Sequence, residues 1–305
     1  MADDGGVKLL WEEQVALYTL ISTCSCVVLE LVAHLFKDFA ILARLRARPV
    51  SSVHMAAVLL ALQRLFALFF FVAAFSLSTH PASCVLSFRA TMVATALVSA
   101  SSLLSCVVKT ASALESSFVG LVCIAVAATV SVASSLIWCA VLGSVRVTQL
   151  AETPPPSSFY VGSCQLDTSG AAWVSAQLAA SIALLVVLVW LETISFLTWL
   201  EGLQHPSLVP SDVILRYLTH VSHLATFMAF DIFSLVWLLT HQRSGSMFMT
   251  AVYIHVFACL VYGPRQLERF HDATNEERAH AAEVFERDRE SWSIKTHRPA
   301  TVAPL

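Results

Sequence analysis

Seven uninterrupted apolar stretches dominate this chain of 305 residues, and each is long enough to cross a lipid bilayer as a helix. About 20 residues are needed for one helical crossing. The stretches cover residues 14–36, 53–77, 84–108, 118–143, 171–199, 213–240 and 247–263. Their hydrophobicity is continuous and does not alternate, as it would in a transmembrane strand. The sequence therefore predicts an all-α, polytopic membrane helical bundle of about seven transmembrane helices.

The composition supports a membrane setting. Hydrophobic residues make up 57% of the chain and charged residues only 13%, whereas a soluble domain carries about 25% charged residues. The formal net charge is -3, and no basic domain is present to bind phosphates. The expected partners are the lipid bilayer and other membrane protein subunits, with no nucleic acid.

Two domains are predicted: a seven-helix transmembrane domain over residues 1–263 and a polar tail over 264–305. Within the tail, residues 265–290 read as an amphipathic surface helix, in which Glu283 and Arg287 have the i,i+4 spacing of an ion pair. Such a helix is expected to lie on the membrane surface or on a partner.

The distribution of lysine and arginine predicts the orientation. No cleavable signal peptide is visible, so the first span is expected to act as its own insertion signal. One side collects twelve basic residues: Lys37, Arg44, Arg46, Arg48, Lys109, Arg265, Arg269, Arg278, Arg287, Arg289, Lys295 and Arg298. The other side has four: Lys8, Arg89, Arg146 and Arg243. The positive-inside rule then puts the N-terminus outside and the C-terminus inside, in a membrane that the sequence does not specify.

Two of the eight cysteines differ from the rest. Six lie within predicted spans, where they are expected to act as small apolar packing residues. Cys84 begins the third span and Cys164 lies in the long loop 144–170, on the same predicted side. If that side is oxidising, a disulfide between them would hold the loop over the bundle; two free thiols are the alternative. No CxxC motif is present, which argues against a zinc site.

This arrangement resembles that of rhodopsin-like seven-helix receptors. The shared features are seven spans, an outside N-terminus and a surface helix after the last span. A further shared feature is a cysteine at the start of the third span that can form a disulfide with the long loop between the fourth and fifth spans. The receptor motifs are missing: residues 106–110 contain no Asp-Arg-Tyr, and residues 260–264 differ from Asn-Pro-x-x-Tyr. The last span also lacks a lysine, which excludes a retinal Schiff base there. The resemblance implies a divergent seven-transmembrane receptor.

Ionisable residues inside the predicted spans are the candidate functional residues, because a central charge costs roughly 2.5–3.5 kcal/mol on insertion scales. They form the predicted buried ionisable cluster: Glu30, His34, Arg64, Glu192, His220, His223, Asp231 and His255. Helical spacing places Glu30 with His34 on one face, and His220 with His223 on another. Arg64 needs an acidic partner, with Glu30 or Glu192 as candidates, and the short connection between the first two spans favours Glu30.

Several roles are open for this cluster. The groups can pair and fix the helix register, or they can form a proton or ion path, or they can line a ligand pocket. A haem between His34 and either His223 or His255 is a further alternative. No catalytic residue and no metal ligand set is predicted, because the protease, hydrolase and phosphate-loop motifs are missing. The cofactor is left unspecified.

Two other patterns concern packing. Thr91, Thr95 and Ser99 form a small-residue face, which is typical of close helix contact. Aromatic faces on the second, sixth and seventh spans are expected to meet lipid, a partner or a ligand. With no catalytic motif, the leading hypothesis is a non-catalytic accessory or structural subunit of a larger membrane complex. A receptor and a proton or ion pathway protein are the alternatives.

Overall fold

The protein is described by a computed structural model, and the part of the chain that it describes includes six long helices. They are α1 (Asp4–Leu45), α2 (Ser52–Thr79), α3 (Cys84–Ala113), α4 (Ala171–Glu201), α5 (Ser211–Thr240) and α6 (Ser246–Gly263). Two short strands, β1 (Val147–Gln149) and β2 (Cys164–Leu166), lie between α3 and α4 in sequence. The structure describes these elements, residue 241, and single helical positions at 122, 125, 126, 129, 130, 133 and 136.

All six helices are long and apolar enough to cross a membrane. The spanning segments are Trp11–His34, Val58–Leu77, Val85–Thr110, Val174–Thr198, Tyr217–Thr240 and Ser246–Gly263. These six helices are consistent with the predicted integral membrane protein built as a helical bundle. With 42 residues, α1 is roughly 60 Å long at about 1.5 Å per residue. It therefore projects well beyond a hydrocarbon core of about 30 Å.

The predicted span 118–143 lies mostly outside the described residues, so the count of seven helices is not confirmed. Its described positions are helical, and the Thr129 hydroxyl donates to the Ala125 carbonyl at 2.7 Å. Val122, Val126 and Leu136 are exposed, as the lipid-facing side of a membrane helix would be. The polar tail 264–305 and its predicted surface helix also lie outside the described part of the chain.

Helices α3 and α6 are at the centre of the bundle. The most apolar stretch of each of these two helices is 72% buried, whereas the corresponding stretches of α1 and α5 are 28% buried. Small residues allow this position: the hydroxyls of Thr91 and Thr95, both fully buried, bond to the carbonyls one turn earlier and leave the helix surface smooth. The prediction that this face of α3 serves close packing agrees with these contacts.

Large side chains fill the end of the bundle at which α3 begins. Phe70 of α2 and Tyr253 of α6 make an edge-to-face contact with ring centroids 6.2 Å apart. Phe88 and Met92 of α3 are buried in the same core. Apolar residues also cover the outward faces of α1, α2, α4 and α5, as contact with lipid requires.

The segment 144–170, expected to be only a loop, contains a small antiparallel ribbon. Val147 pairs with Leu166, and Gln149 pairs with Cys164. β1 also packs against α3. The bundle is all-helical, as predicted, and the ribbon is a local addition in the segment before α4. Its three-residue strands are too short to show an alternating sequence pattern.

Candidate functional site

A hydrogen-bonded carboxylate and imidazole lie near the middle of the bundle. Asp231 comes from the central part of α5, and His255 from the central part of α6. The Asp231 Oδ1 and His255 Nδ1 atoms are 2.6 Å apart. Their exposed fractions are 0% and 1%. Because an ionised carboxylate can only accept, Nδ1 carries the hydrogen of this bond.

Two serines complete the hydrogen bonding of the pair. The hydroxyl of Ser181, on α4, donates to the second Asp231 oxygen at 2.6 Å. The hydroxyl of Ser99, on α3, lies 3.0 Å from His255 Nε2. Four helices therefore contribute to one buried polar centre. A neutral imidazole with its hydrogen on Nδ1 accepts at Nε2 from the Ser99 hydroxyl, whereas a doubly protonated imidazole donates there to the Ser99 oxygen.

The centre continues toward α2 through Cys259, one turn after His255. The Cys259 Sγ atom lies 3.6 Å from His255 Nε2. Its backbone carbonyl accepts hydrogen bonds from Ser102 at 2.9 Å and from Gln63 Nε2 at 3.2 Å. Gln63 Nε2 also contacts the Ser102 hydroxyl at 2.6 Å. We call the set Asp231, His255, Ser99, Ser181, Cys259, Ser102 and Gln63 the polar network.

A glycine makes this close approach possible. A Cβ atom on Gly263, at the end of α6, would clash with Gln63 Nε2 and lie 2.7 Å from the Ser102 hydroxyl. Real Cβ atoms do not come this close to their neighbours. The missing side chain lets Gln63 and Ser102 lie directly against the α6 backbone.

Gln63 also borders a cavity between α1, α2 and α6 that has room for about one water molecule. Glu30 and Arg64 both line this cavity, together with apolar residues. The structure therefore places the two residues of the predicted ion pair at one site, and their direct pairing stays a prediction. His34 Nε2 lies 3.2 Å from the second Glu30 oxygen. The side chains of His34 and Glu30 are partly exposed, at 27% and 25%.

Glu192, the other candidate partner of Arg64, lies in a separate pair. Its Oε1 atom is 3.0 Å from His220 Nε2, which joins α4 to α5. Both side chains are buried, and Lys109 of α3 is close enough to act electrostatically on the carboxylate. His220 Nδ1 has no hydrogen-bond partner among the described residues.

The ring of His223 lies 6.0 Å from that of Tyr262, and Tyr262 also contacts the rings of Phe227 and Phe230. The ionisable residues thus form separate groups: Asp231 with His255, Glu192 with His220, and Glu30 with His34 beside the cavity of Arg64. The sequence predicted these residues as one cluster because spacing along a helix says nothing about which helices meet.

Sequence reasoning missed the uncharged members of the network. Ser99 was assigned to helix packing, and Gln63, Ser102 and Ser181 were not singled out. For Gln63 a signal existed, because it is an amide next to Arg64 inside an otherwise apolar run. The serines gave no signal, because hydroxyls are common in membrane helices and bond within their own helix.

The other predicted sites have mixed outcomes. Within the described residues, no group of three metal-binding side chains is found, and no disulfide is formed. The side chains of Cys84 and Cys164 are not among those described, so their bond stays a prediction. Both ring nitrogens of His255 have hydrogen-bond partners, which argues against haem ligation there.

Comparison with known proteins identifies no relative: no family model, no curated protein and no solved structure matches this chain.

Proposed function

We propose that this chain is a non-catalytic, multi-pass integral membrane protein in which the Asp231–His255 pair binds and releases a proton within the membrane. The observation that carries the proposal is the position of the pair, which is hydrogen-bonded at 2.6 Å and buried at mid-span. Carboxylates and histidines in such positions form the proton relays of pumps and transporters.

The energetics favour a functional role over a purely structural one. Well-packed apolar residues in place of a buried ion pair are often as stabilising or more so. If the pair served only to join α5 to α6, apolar residues at the two positions would stabilise the contact equally well or better. Asp231 and His255 can instead hold one or two protons between them, and the hydroxyls of Ser99 and Ser181 can rotate to donate or accept as this number changes.

Other titratable groups surround the pair within the described part of the chain. Cys259 of α6 contacts the imidazole, and Cys106 of α3 lies near Cys259. Glu192 and Lys109 are also close enough to Cys106 to act on it electrostatically. A change of proton occupancy at the pair is therefore expected to depend on these groups as well.

Infrared difference spectroscopy on the protein in lipid vesicles tests the proposal. A pH change should produce a carboxyl C=O signal that is absent in Asp231→Asn and that shifts when the sample is moved to D2O. Ser181→Ala removes one hydrogen bond to the carboxyl, so it should move the frequency of this signal and keep its presence. An Asp231 carboxyl that neither titrates nor exchanges with D2O would show a sealed structural pair and overturn the proposal.

A second candidate function follows from the position of Ser99. Asp231, His255 and Ser99 stand in the order carboxylate, imidazole, hydroxyl, which is the arrangement of an activated serine nucleophile. The 1% exposure of Ser99 opposes this role, because a substrate must reach the hydroxyl. A fluorophosphonate probe should label the wild type and spare Ser99→Ala if the serine is reactive; no labelling of either removes this candidate.

The subunit and receptor hypotheses stay proposals with weaker support. Outward apolar side chains such as Phe69 and Phe233 suit a partner as well as lipid. Migration as a single chain in native electrophoresis in mild detergent would count against a subunit. For a receptor, the described packing of Phe70, Phe88 and Tyr253 fills the end of the bundle where an outward pocket is expected.

The orientation with the N-terminus outside also stays a proposal, based on the excess of basic residues at the opposite side. Protease protection of tags fused to each end of the protein in sealed vesicles tests it. Exposure of both ends on the same side would also contradict the predicted odd number of spans.

A further inference from the structure

The cavity between α1, α2 and α6 borders the polar network. Gln63 lines this cavity, and its amide nitrogen bonds to Ser102 and to the Cys259 carbonyl. One side chain therefore separates a space of the size of one water molecule from the groups that surround His255.

The oxygen of the same amide adds a second, independent observation. Gln63 is completely buried, and its Oε1 atom has no hydrogen-bond partner among the described residues. An unpaired buried carbonyl oxygen costs about 1–3 kcal/mol. A water in the adjoining cavity would remove this cost, because buried waters occupy polar sites with two to four partners.

Glu30 lines the cavity and lies 3.2 Å from His34, which is near the end of the predicted span 14–36, shortly before Lys37. Both side chains are partly exposed. An imidazole at the end of a span followed by a carboxylate one turn deeper is a suitable pair for collecting protons from water.

On the near side, Gln63 and Ser102 contact the backbone carbonyl of Cys259, and the thiol of Cys259 lies beside the imidazole of His255. Ser102 and Ser99 are one turn apart on α3, and Cys259 follows His255 by one turn on α6. Both the Ser99 hydroxyl and the Cys259 thiol lie next to His255 Nε2, at 3.0 and 3.6 Å. These groups can each accept one proton and donate another.

We infer that the cavity is the port through which the Asp231–His255 pair exchanges its proton with the membrane surface at the His34 end of α1, and that Gln63 is the gate. This inference rests on the proposed function. A proton taken up at His34 or Glu30 passes to water in the cavity. It then passes by way of Ser102 and Cys259 or Ser99 to His255 Nε2, while Nδ1 gives its proton to Asp231. Release reverses these transfers, so no group gains or loses a proton over a full cycle.

The rate at which the Asp231 carboxyl exchanges with D2O tests the port, by stopped-flow infrared measurements on the protein in vesicles. Gln63→Leu keeps the bulk of the side chain and removes its polar atoms, so exchange should slow at least tenfold. Gln63→Ala opens the gate to water, so exchange should become faster. Gln177→Leu is the matched control, because Gln177 is a buried glutamine on α4 that does not line the cavity; its exchange rate should equal that of the wild type.

A further variant covers the case in which the Gln63 variants do not fold. Ala67→Val narrows the cavity from its wall without touching the polar network, and it should also slow exchange. An unchanged rate in every folded variant of Gln63 and Ala67 would overturn the port and leave the proposed function standing. An Asp231 that does not exchange in the wild type would instead overturn the proposed function.

Discussion

Asp231 and His255 are joined by a 2.6 Å hydrogen bond between α5 and α6, and neither side chain reaches the surface of the bundle. Ser181 bonds to the second Asp231 oxygen and Ser99 bonds to His255 Nε2, so helices α3 to α6 all meet at this point. The stability of the bundle and the number of protons on the Asp231–His255 pair should therefore be linked.

Replacing one member of the pair should destabilise the bundle. His255→Leu leaves the Asp231 carboxyl without its main partner, and breaking a buried pair costs about 3–5 kcal/mol. Because apolar replacements restore packing, His255→Leu combined with Asp231→Leu should cost less than the sum of the two single changes. Unfolding in mixed detergent gives the four free energies of the cycle, and strict additivity would show that the two residues do not interact.

A second test concerns the contact between α4 and α5. Tyr217 stacks on Phe196 with ring centroids 4.0 Å apart, and its hydroxyl donates to Thr193 at 3.0 Å. Tyr217→Phe removes only the hydrogen bond and should cost about 0.5–1.5 kcal/mol. Tyr217→Ala also removes the stack and should cost clearly more. Equal unfolding free energies for the two variants would show that the ring contact contributes nothing.

The sequence predicted the membrane helices well because each is specified by its own apolar length. The α5 span of Tyr217–Thr240 agrees with the predicted 213–240 to within a few residues. Such spans can be predicted without knowing which helices pack against them, since every backbone hydrogen bond is satisfied within the helix.

The site was predicted only in part, because it depends on which helices meet. Asp231 and His255 were identified by their cost in the membrane, but their pairing was not. Glu192 was considered as a partner for Arg64, whereas the structure gives it His220. Nothing in the sequence distinguishes Ser99 and Ser181 from other serines in the helices. They belong to the site only because α5 and α6 bring Asp231 and His255 next to them.

Arg64 provides a test of the cavity. The structure places it beside Glu30, so Arg64→Leu should leave that carboxylate without its predicted partner. Because both side chains are partly exposed, the cost should be smaller than the about 3–5 kcal/mol of a fully buried pair. Arg89→Leu is the matched control, because Arg89 is exposed on α3 and should have little effect. The difference between the two variants is measured as the shift in unfolding midpoint in detergent. Equal shifts would contradict a structural pair at the cavity.

Gly263 tests the close approach of α2, α3 and α6. Gly263→Ala places a methyl group where Gln63 Nε2 and the Ser102 hydroxyl now lie, and overpacking of this kind costs about 1–3 kcal/mol. Shortening the neighbour should relieve the clash, so adding Gly263→Ala to Gln63→Ala should cost less than adding it to the wild type. Unfolding free energies of the four proteins check this expectation. If Gly263→Ala were as stable as the wild type, Gln63 and Ser102 would not lie against the α6 backbone. The proposed connection from the cavity through Cys259 to His255 depends on that contact, so this result would also remove the connection.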